Sequence, residues 1–91
     1  MNRVLLFAQA GCPACSEFLP RARRASFVTR VPVFPIDTRS PRGEALANRF
    51  GIEATPTMVV VRSDGRALGR KVGGIPDAEL YGLLAAAKRS R

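Results

Sequence analysis

Residues 4–15 read Val-Leu-Leu-Phe-Ala-Gln-Ala-Gly-Cys-Pro-Ala-Cys and predict a strand, a tight turn and the start of a helix. The apolar run at 4–8 contains β-branched and aromatic residues, and its length fits a central strand that is buried on both faces. After the break at Gly11, Pro13 suits the first helical turn, where the missing N–H of proline costs nothing. Apolar residues then recur at helical spacing, which predicts a helix from residue 13 to about residue 24.

The rest of the chain alternates between strand and helix signals. A proline cannot donate to a sheet ladder, so a strand that contains two prolines belongs at a sheet edge, and charged residues protect a second edge. Ser40 suits a helix N-cap, and Gly51 suits the left-handed residue that ends a helix. After the first helix, which Pro20 is expected to kink, the predicted elements are an edge strand at 31–36, a helix at 41–50, a strand at 57–61, an Asp-Gly hairpin turn at 63–66, an edge strand at 68–72 and a helix from 76 to about 87. The order predicts a single α/β domain over residues 1–91, with a frayed tail from about residue 88.

The chain is strongly basic, with fifteen Lys and Arg residues, seven acidic residues and a formal net charge of +8. Such a charge favours anionic partners, and acidic substrate proteins fit it. A coding bias toward arginine explains the same excess, because the arginines are scattered from Arg3 to Arg91. Base stacking by a nucleic-acid surface needs exposed aromatic side chains, whereas this chain has Tyr81 and five phenylalanines in apolar segments. We therefore expect no nucleic-acid partner.

The first ten residues share only an outline with a secretory signal. A basic start precedes an apolar run and the small-x-small pattern Ala8-Gln9-Ala10. The apolar run spans only residues 4–8, which is shorter than the roughly 7–15 residues of a signal core. No segment approaches the roughly 20 apolar residues of a membrane span. We expect a soluble cytoplasmic monomer with no membrane partner.

The two cysteines lie in Cys12-Pro13-Ala14-Cys15, where a predicted strand ends and a helix begins. Backbone N–H groups and the helix dipole favour negative charge there, and such a position lowers the pKa of a thiol, so Cys12 is the expected nucleophile. Cys15 lies one turn later on the same helix face, close enough to attack a mixed disulfide at Cys12 and release the reduced product. The spacing predicts a redox-active disulfide that needs no bound cofactor.

Three other interpretations of the cysteines stay open: a structural disulfide, two ordinary buried cysteines, and half of a metal site. A bridge between them closes a very short loop, so its entropic stabilisation would be modest. A structural zinc needs four ligands, and the chain has no histidine and no second cysteine pair. Only a dimer could therefore share a metal ion or an iron–sulfur cluster, and we predict no metal site within one chain.

Thr55-Pro56 is a second feature of the sheet end that carries the cysteines. It precedes the strand at 57–61 and, in the predicted order of elements, faces the same sheet end as the cysteines. Only about 5–6% of X–Pro bonds in folded proteins are cis. The residues alone therefore predict a trans bond before Pro56.

Four features resemble the thioredoxin superfamily: the motif Cys12-Pro13-Ala14-Cys15, the helix proline Pro20, the segment Ile52-Glu53-Ala54-Thr55-Pro56-Thr57, and an Asp-Gly hairpin that leads to Val72-Gly73-Gly74. The resemblance covers nearly the whole chain and implies a four-stranded mixed sheet flanked by three helices. It also implies a cis bond before Pro56, and a substrate that pairs with Thr55 as an added strand. The residues that it implies in substrate binding are Gly11, Pro13, Ala14, Thr55, Pro56, Gly73 and Gly74.

Several features of ordinary thioredoxins are missing. Thioredoxins usually carry a Trp before the first cysteine and a buried Asp six residues before it, where this chain has Gly11 and Leu6. The basic residue that thioredoxins place near that acid corresponds to about Val33. The proton acceptor for Cys15 is therefore unassigned.

The chain length and the Cys-Pro-x-Cys motif are similar to those of glutaredoxins, including the small redoxins that serve ribonucleotide reductase. Glutaredoxins favour an aromatic residue inside the motif, an upstream Lys and a Gly-Gly-x-Asp glutathione clamp, where this chain has Ala14, Gln9 and Gly73-Gly74-Ile75-Pro76-Asp77. The resemblance implies a thiol-disulfide oxidoreductase that reduces protein disulfides, with a reductase or glutathione as electron donor. Two alternatives stay open: a docking module with incidental cysteines, and a dimer that carries a metal ion or an iron–sulfur cluster.

Overall fold

The computed structural model describes residues 2–89, in which four strands form a mixed sheet and three helices pack on its two faces. In chain order the elements are β1 (Arg3–Ala8), α1 (Pro13–Thr29), β2 (Val33–Asp37), α2 (Pro41–Phe50), β3 (Thr57–Val61), β4 (Ala67–Val72) and α3 (Asp77–Arg89). This is the predicted order of elements, and the α/β fold class is confirmed.

The sheet has the strand order β2-β1-β3-β4, so the apolar run near the start of the chain forms an inner strand. β1 is parallel to β2 and antiparallel to β3, and β4 pairs antiparallel with β3. Both edge predictions are confirmed: β2 carries Pro35, and β4 is exposed along its whole length. The parallel pairing sets Asp37 beside Ala8, at the end of the sheet from which the chain turns toward Cys12.

The two faces of β1 contribute to two separate apolar cores. Successive residues of a strand point to opposite faces of the sheet. On one face, Val4 and Leu6 pack with residues of α1 and α3. On the other, Leu5 and Phe7 pack with Ala47 of α2. Burial on both faces explains why β1 is an unbroken apolar run instead of an alternating one.

α1 is longer than predicted. It continues to Thr29, past the predicted end near residue 24, because its buried side continues from Ala22 to Ala25. It ends where Arg30 adopts the left-handed backbone conformation, with a φ of 63°. Pro20 lies inside the helix.

Two other boundaries differ from the prediction by a few residues. β2 begins at Val33 instead of residue 31, because Pro32 can accept a bond from β1 but has no N–H to donate. α3 begins at Asp77 and continues through Lys88 and Arg89, whose positive charges suit the negative end of a helix dipole. The frayed tail from about residue 88 stays a prediction, and residues 90 and 91 lie outside the described residues.

The helix surfaces carry one unexpected aromatic side chain. Phe27 was expected in an apolar segment, but it is 87% exposed and lies next to the exposed Val28. Both residues fall outside the buried side of α1, which passes through Phe18, Ala22 and Ala25. No helix within residues 2–89 combines the length and the apolar character needed to cross a membrane.

Candidate functional site

Cys12 lies at the N-terminus of α1, directly after the turn that follows β1. It is the N-cap residue, and its Sγ accepts a hydrogen bond from the backbone N–H of Cys15 at 3.1 Å. Gly11 makes the turn with a φ of +80°, which glycine adopts without a steric penalty. The half-buried sulfur of Cys12 therefore faces backbone N–H groups and the positive end of the helix dipole, and both stabilise negative charge.

Cys12 and Cys15 form a disulfide across the first turn of α1, with their Cα atoms 5.2 Å apart. Cys15 is only 2% exposed, whereas Pro13 and Ala14 between the cysteines are exposed. A reactant that arrives from solvent therefore reaches Cys12 before Cys15. Within residues 2–89, no group of three or more His, Cys, Asp or Glu side chains is placed to hold a metal ion.

The loop before β3 brings Thr55 against Cys12. The Thr55–Pro56 peptide bond is cis, the isomer that the resemblance implies and that base rates do not favour. The Thr55 hydroxyl donates to the Cys12 Sγ at 3.7 Å, and the Thr55 carbonyl oxygen lies 3.7 Å from the same sulfur. Pro56 is buried, and its carbonyl accepts the Gly73 N–H at 2.7 Å.

The backbone of Thr55 presents polar groups next to Cys12 that have no backbone partner among the described residues. Among residues 2–89, no backbone group pairs with the N–H or the C=O of Thr55. A Cβ added at Gly73 would meet no atom within 4 Å, and one added at Gly74 would make only ordinary contacts from 3.9 Å. The side of the site near these glycines is open, and the φ of +86° at Gly73 is the constraint that requires glycine there.

A family model described as a thioredoxin-like domain matches residues 2–88, which is nearly the whole chain. The chain belongs to the thioredoxin-like domain family. No curated protein matches the chain significantly.

Solved structures of thioredoxins are similar to most of this thioredoxin-like domain. A mutant thioredoxin from Halobacterium salinarum has a TM-score of 0.84 and 24% identity, over 94% of this chain and 74% of that chain. The thioredoxin of Fasciola hepatica has a TM-score of 0.82 and 21% identity, over 94% of this chain and 80% of that chain. Thioredoxin-2, a component of malaria parasite protein secretion machinery, has a TM-score of 0.82 and 22% identity, over 94% of this chain and 82% of that chain. The fold is therefore the thioredoxin fold.

Three positions of this thioredoxin-like domain differ from the residues that thioredoxins usually carry. Leu6 is buried in the core of β1, Gly11 lies exposed in the turn before the cysteines, and Val33 is half-buried in β2. The side chains at these positions are apolar or absent and cannot accept a proton. The usual proton path to the second cysteine is therefore missing from these positions.

Arg21 on α1 is a part of the site region that the sequence did not reveal. Its guanidinium donates to both carboxylate oxygens of Glu17, to the Ile75 carbonyl at 2.9 Å and to the Asp77 carboxylate at 2.7 Å. The hydrogen bond from Arg21 lowers the pKa of Glu17, and the two carboxylates raise the pKa of Arg21. These contacts fasten the loop after Gly74 to α1. The spacing of Glu17 and Arg21 signals a helical ion pair, but nothing in the sequence signals the contacts across the fold.

A groove of about 310 Å³ opens beside Cys15, between the start of α1 and the end of β2. Its walls are mostly apolar, and small side chains such as that of Ala8 leave the space open. The polar side chains along it are those of Gln9, Ser16 and Asp37. Sequence reasoning missed this groove, because only the pairing of β1 with β2 brings its two walls together.

Proposed function

We propose that the protein is a thiol-disulfide oxidoreductase that reduces disulfides of other proteins by dithiol exchange. The observation that carries the proposal is the position of Cys12. Its sulfur is half-buried at a helix N-terminus, bonded to Cys15, and next to backbone groups of Thr55 that have no backbone partner among the described residues. Membership of the thioredoxin-like domain family supports a redox role for such a cysteine pair.

The reaction begins from the reduced protein. The Cys12 thiolate attacks one sulfur of the substrate disulfide, whose S–S bond breaks, and the other substrate sulfur leaves as a thiolate. Cys15 then attacks the Cys12 sulfur of the mixed disulfide, which releases the second substrate thiol and forms the Cys12–Cys15 disulfide. The substrate gains two electrons, and an external donor returns two electrons to the protein.

The substrate chain adds as an extended strand beside Thr55. The Thr55 N–H, which no backbone group of residues 2–89 pairs with, donates to the substrate backbone, and the Thr55 C=O accepts from it, as in other cases of strand addition. The cis bond before Pro56 fixes the direction of the Thr55 backbone, and the open side near Gly73 and Gly74 accommodates the chain. The exposed residues around Cys12, namely Gly11, Pro13 and Ala14, contact the substrate near its disulfide.

The protein is proposed to act as a cytoplasmic monomer whose redox group is its own disulfide, with no added cofactor, metal, nucleic acid or membrane.

Thioredoxin reductase and glutathione are the two candidate electron donors. The consumption of NADPH is measured in two coupled systems, one with thioredoxin reductase and one with glutathione plus glutathione reductase. The faster system identifies the donor, and no consumption with either would refute both candidates.

The exchange mechanism is tested by insulin reduction in the presence of dithiothreitol. Cys12→Ser should abolish catalysis, because it removes the attacking sulfur, while Cys15→Ser should accumulate a mixed disulfide that mass spectrometry detects. Ser63→Ala in the β3–β4 hairpin is the control and should keep the wild-type rate. Activity retained by Cys12→Ser would show that the mechanism is wrong.

A further inference from the structure

The resolving step requires a proton acceptor for the Cys15 thiol. Cys15 is 2% exposed, and its thiol must lose a proton before its sulfur can attack the mixed disulfide. The chain contains no histidine, and Leu6 is an apolar core residue. The acceptor must therefore be reached through space beside Cys15.

The groove beside Cys15 provides that space. Cys15 forms part of its wall, and a volume of about 310 Å³ holds several water molecules. Asp37 lies on the β2 side of the groove, and among the described residues that line the groove it is the only titratable side chain besides Cys15. A carboxylate therefore shares a water-accessible space with the thiol that must be deprotonated.

Asp37 is held firmly at the end of β2. Its backbone is in register with Ala8 of β1, and its carbonyl accepts from both the N–H and the hydroxyl of Ser40. Its Oδ1 accepts the backbone N–H of Arg39 at 2.9 Å. Among the described residues none donates to Oδ2, so this oxygen is available to water in the groove.

We propose that Asp37 is the proton acceptor for Cys15 in the resolving step, with water in the groove carrying the proton. This inference rests on the proposed function. The S–H bond of Cys15 breaks, and its proton passes through water to the Asp37 carboxylate. The Cys15 sulfur forms a bond with the Cys12 sulfur, the bond from Cys12 to the substrate sulfur breaks, and the departing thiolate later takes up a proton.

A purely electrostatic role for Asp37 predicts the opposite sign. A negative carboxylate near Cys15 disfavours the Cys15 thiolate, so its removal would speed the resolving step. Removal of a proton acceptor instead slows that step. The two roles are therefore separated by the direction of one rate change.

The test isolates the resolving step with Ellman's reagent. The reduced protein forms a mixed disulfide at Cys12 at acidic pH, and a jump to neutral pH starts the release of the second thionitrobenzoate. Asp37→Asn should slow this release at least about tenfold, which is less than the roughly 10²–10⁴-fold contribution of a directly bonded general base because water relays the proton. Asp37→Glu should recover most of the rate, and the first release should keep its wild-type rate in both variants.

Asp64→Asn is the matched control, because Asp64 accepts the N–H of Arg66 at 3.0 Å in the same local arrangement but lies in the β3–β4 hairpin. It should leave both releases unchanged. Asparagine at position 37 can still accept the Arg39 N–H, so the local fold is preserved. An unchanged second release in Asp37→Asn would show that solvent takes the proton, and a faster one would show a purely electrostatic role; either overturns the proposal. Insulin reduction by the wild-type protein separately tests the proposed function.

Discussion

The junction between β2 and α2 leaves no room for a side chain at position 43. Gly43 is buried in the first turn of α2, and a Cβ built there would overlap the carbonyl oxygen of Asp37 and lie 2.7 Å from the Ser40 hydroxyl oxygen. Gly43→Ala therefore costs about 1–3 kcal/mol for overpacking and about 1 kcal/mol for a disturbed Ser40 cap. The higher helix propensity of alanine offsets up to about 1 kcal/mol of this cost.

The net loss of about 1–3 kcal/mol should lower the melting temperature by roughly 5–20 °C in a domain of this size. Thermal unfolding followed by circular dichroism measures the shift. The matched control is Gly82→Ala in α3, where an added Cβ meets no atom within 4 Å. This variant should gain about 0.5–1 kcal/mol from the lower backbone entropy of the unfolded chain. Equal shifts in the two variants would refute the close packing of α2 on the end of β2.

Three further predictions follow from the contacts of the site and core. Arg21→Gln should lower the melting temperature more at neutral pH than well below pH 4.5. Arg21 depresses the folded-state pKa of Glu17 below its ordinary value of 4.5, so the stability that this ion pair contributes is present above that value and is lost as pH falls through the folded pKa. An equal decrease in melting temperature at both pH values would contradict this prediction. Phe18→Ala should lower the free energy of unfolding in urea by about 3–5 kcal/mol, because this side chain is fully buried. Phe27→Ala should lower it by less than about 0.5 kcal/mol, because this side chain is 87% exposed. Comparable losses in the two variants would contradict the orientation of α1. Thr55→Val should slow alkylation of the nucleophilic sulfur by iodoacetamide about two- to fivefold, since a weak hydrogen bond to that sulfur is lost; an unchanged rate would show that the hydroxyl does not act on it.

Local signals predicted the fold where they were strong. Ser40 and Gly51 bound α2 as expected, and β3 has the predicted limits, because capping residues and a buried apolar run leave few alternatives. The end of α1 was missed, since its last turns bury only the small side chain of Ala25 and expose Phe27 and Val28. A short buried side chain gives little periodic signal, and exposed apolar residues obscure what remains.

The site divides into a part that spacing predicts and a part that it does not. The pair of cysteines on one helical turn follows directly from the sequence, because residues three apart share a helix face. Arg21 donates to the Ile75 carbonyl only because α1 packs against α3. Asp37 lines the groove beside Cys15 only because β2 pairs with β1. No local sequence pattern predicts either of these contacts.

The two cysteines therefore depend on different kinds of support. Charge on Cys12 is stabilised mainly by backbone groups, which any sequence with this helix start supplies, so the absence of the usual residues at Leu6 and Gly11 leaves the nucleophile in place. Cys15 is buried and must lose its proton before it attacks, so its step is sensitive to those same absences. If Asp37 accepts the proton, the carboxylate lies at the end of the edge strand β2 instead of in the central strand, where thioredoxins usually carry it. Water reaches the carboxylate at this position, and no charge has to be buried in the core.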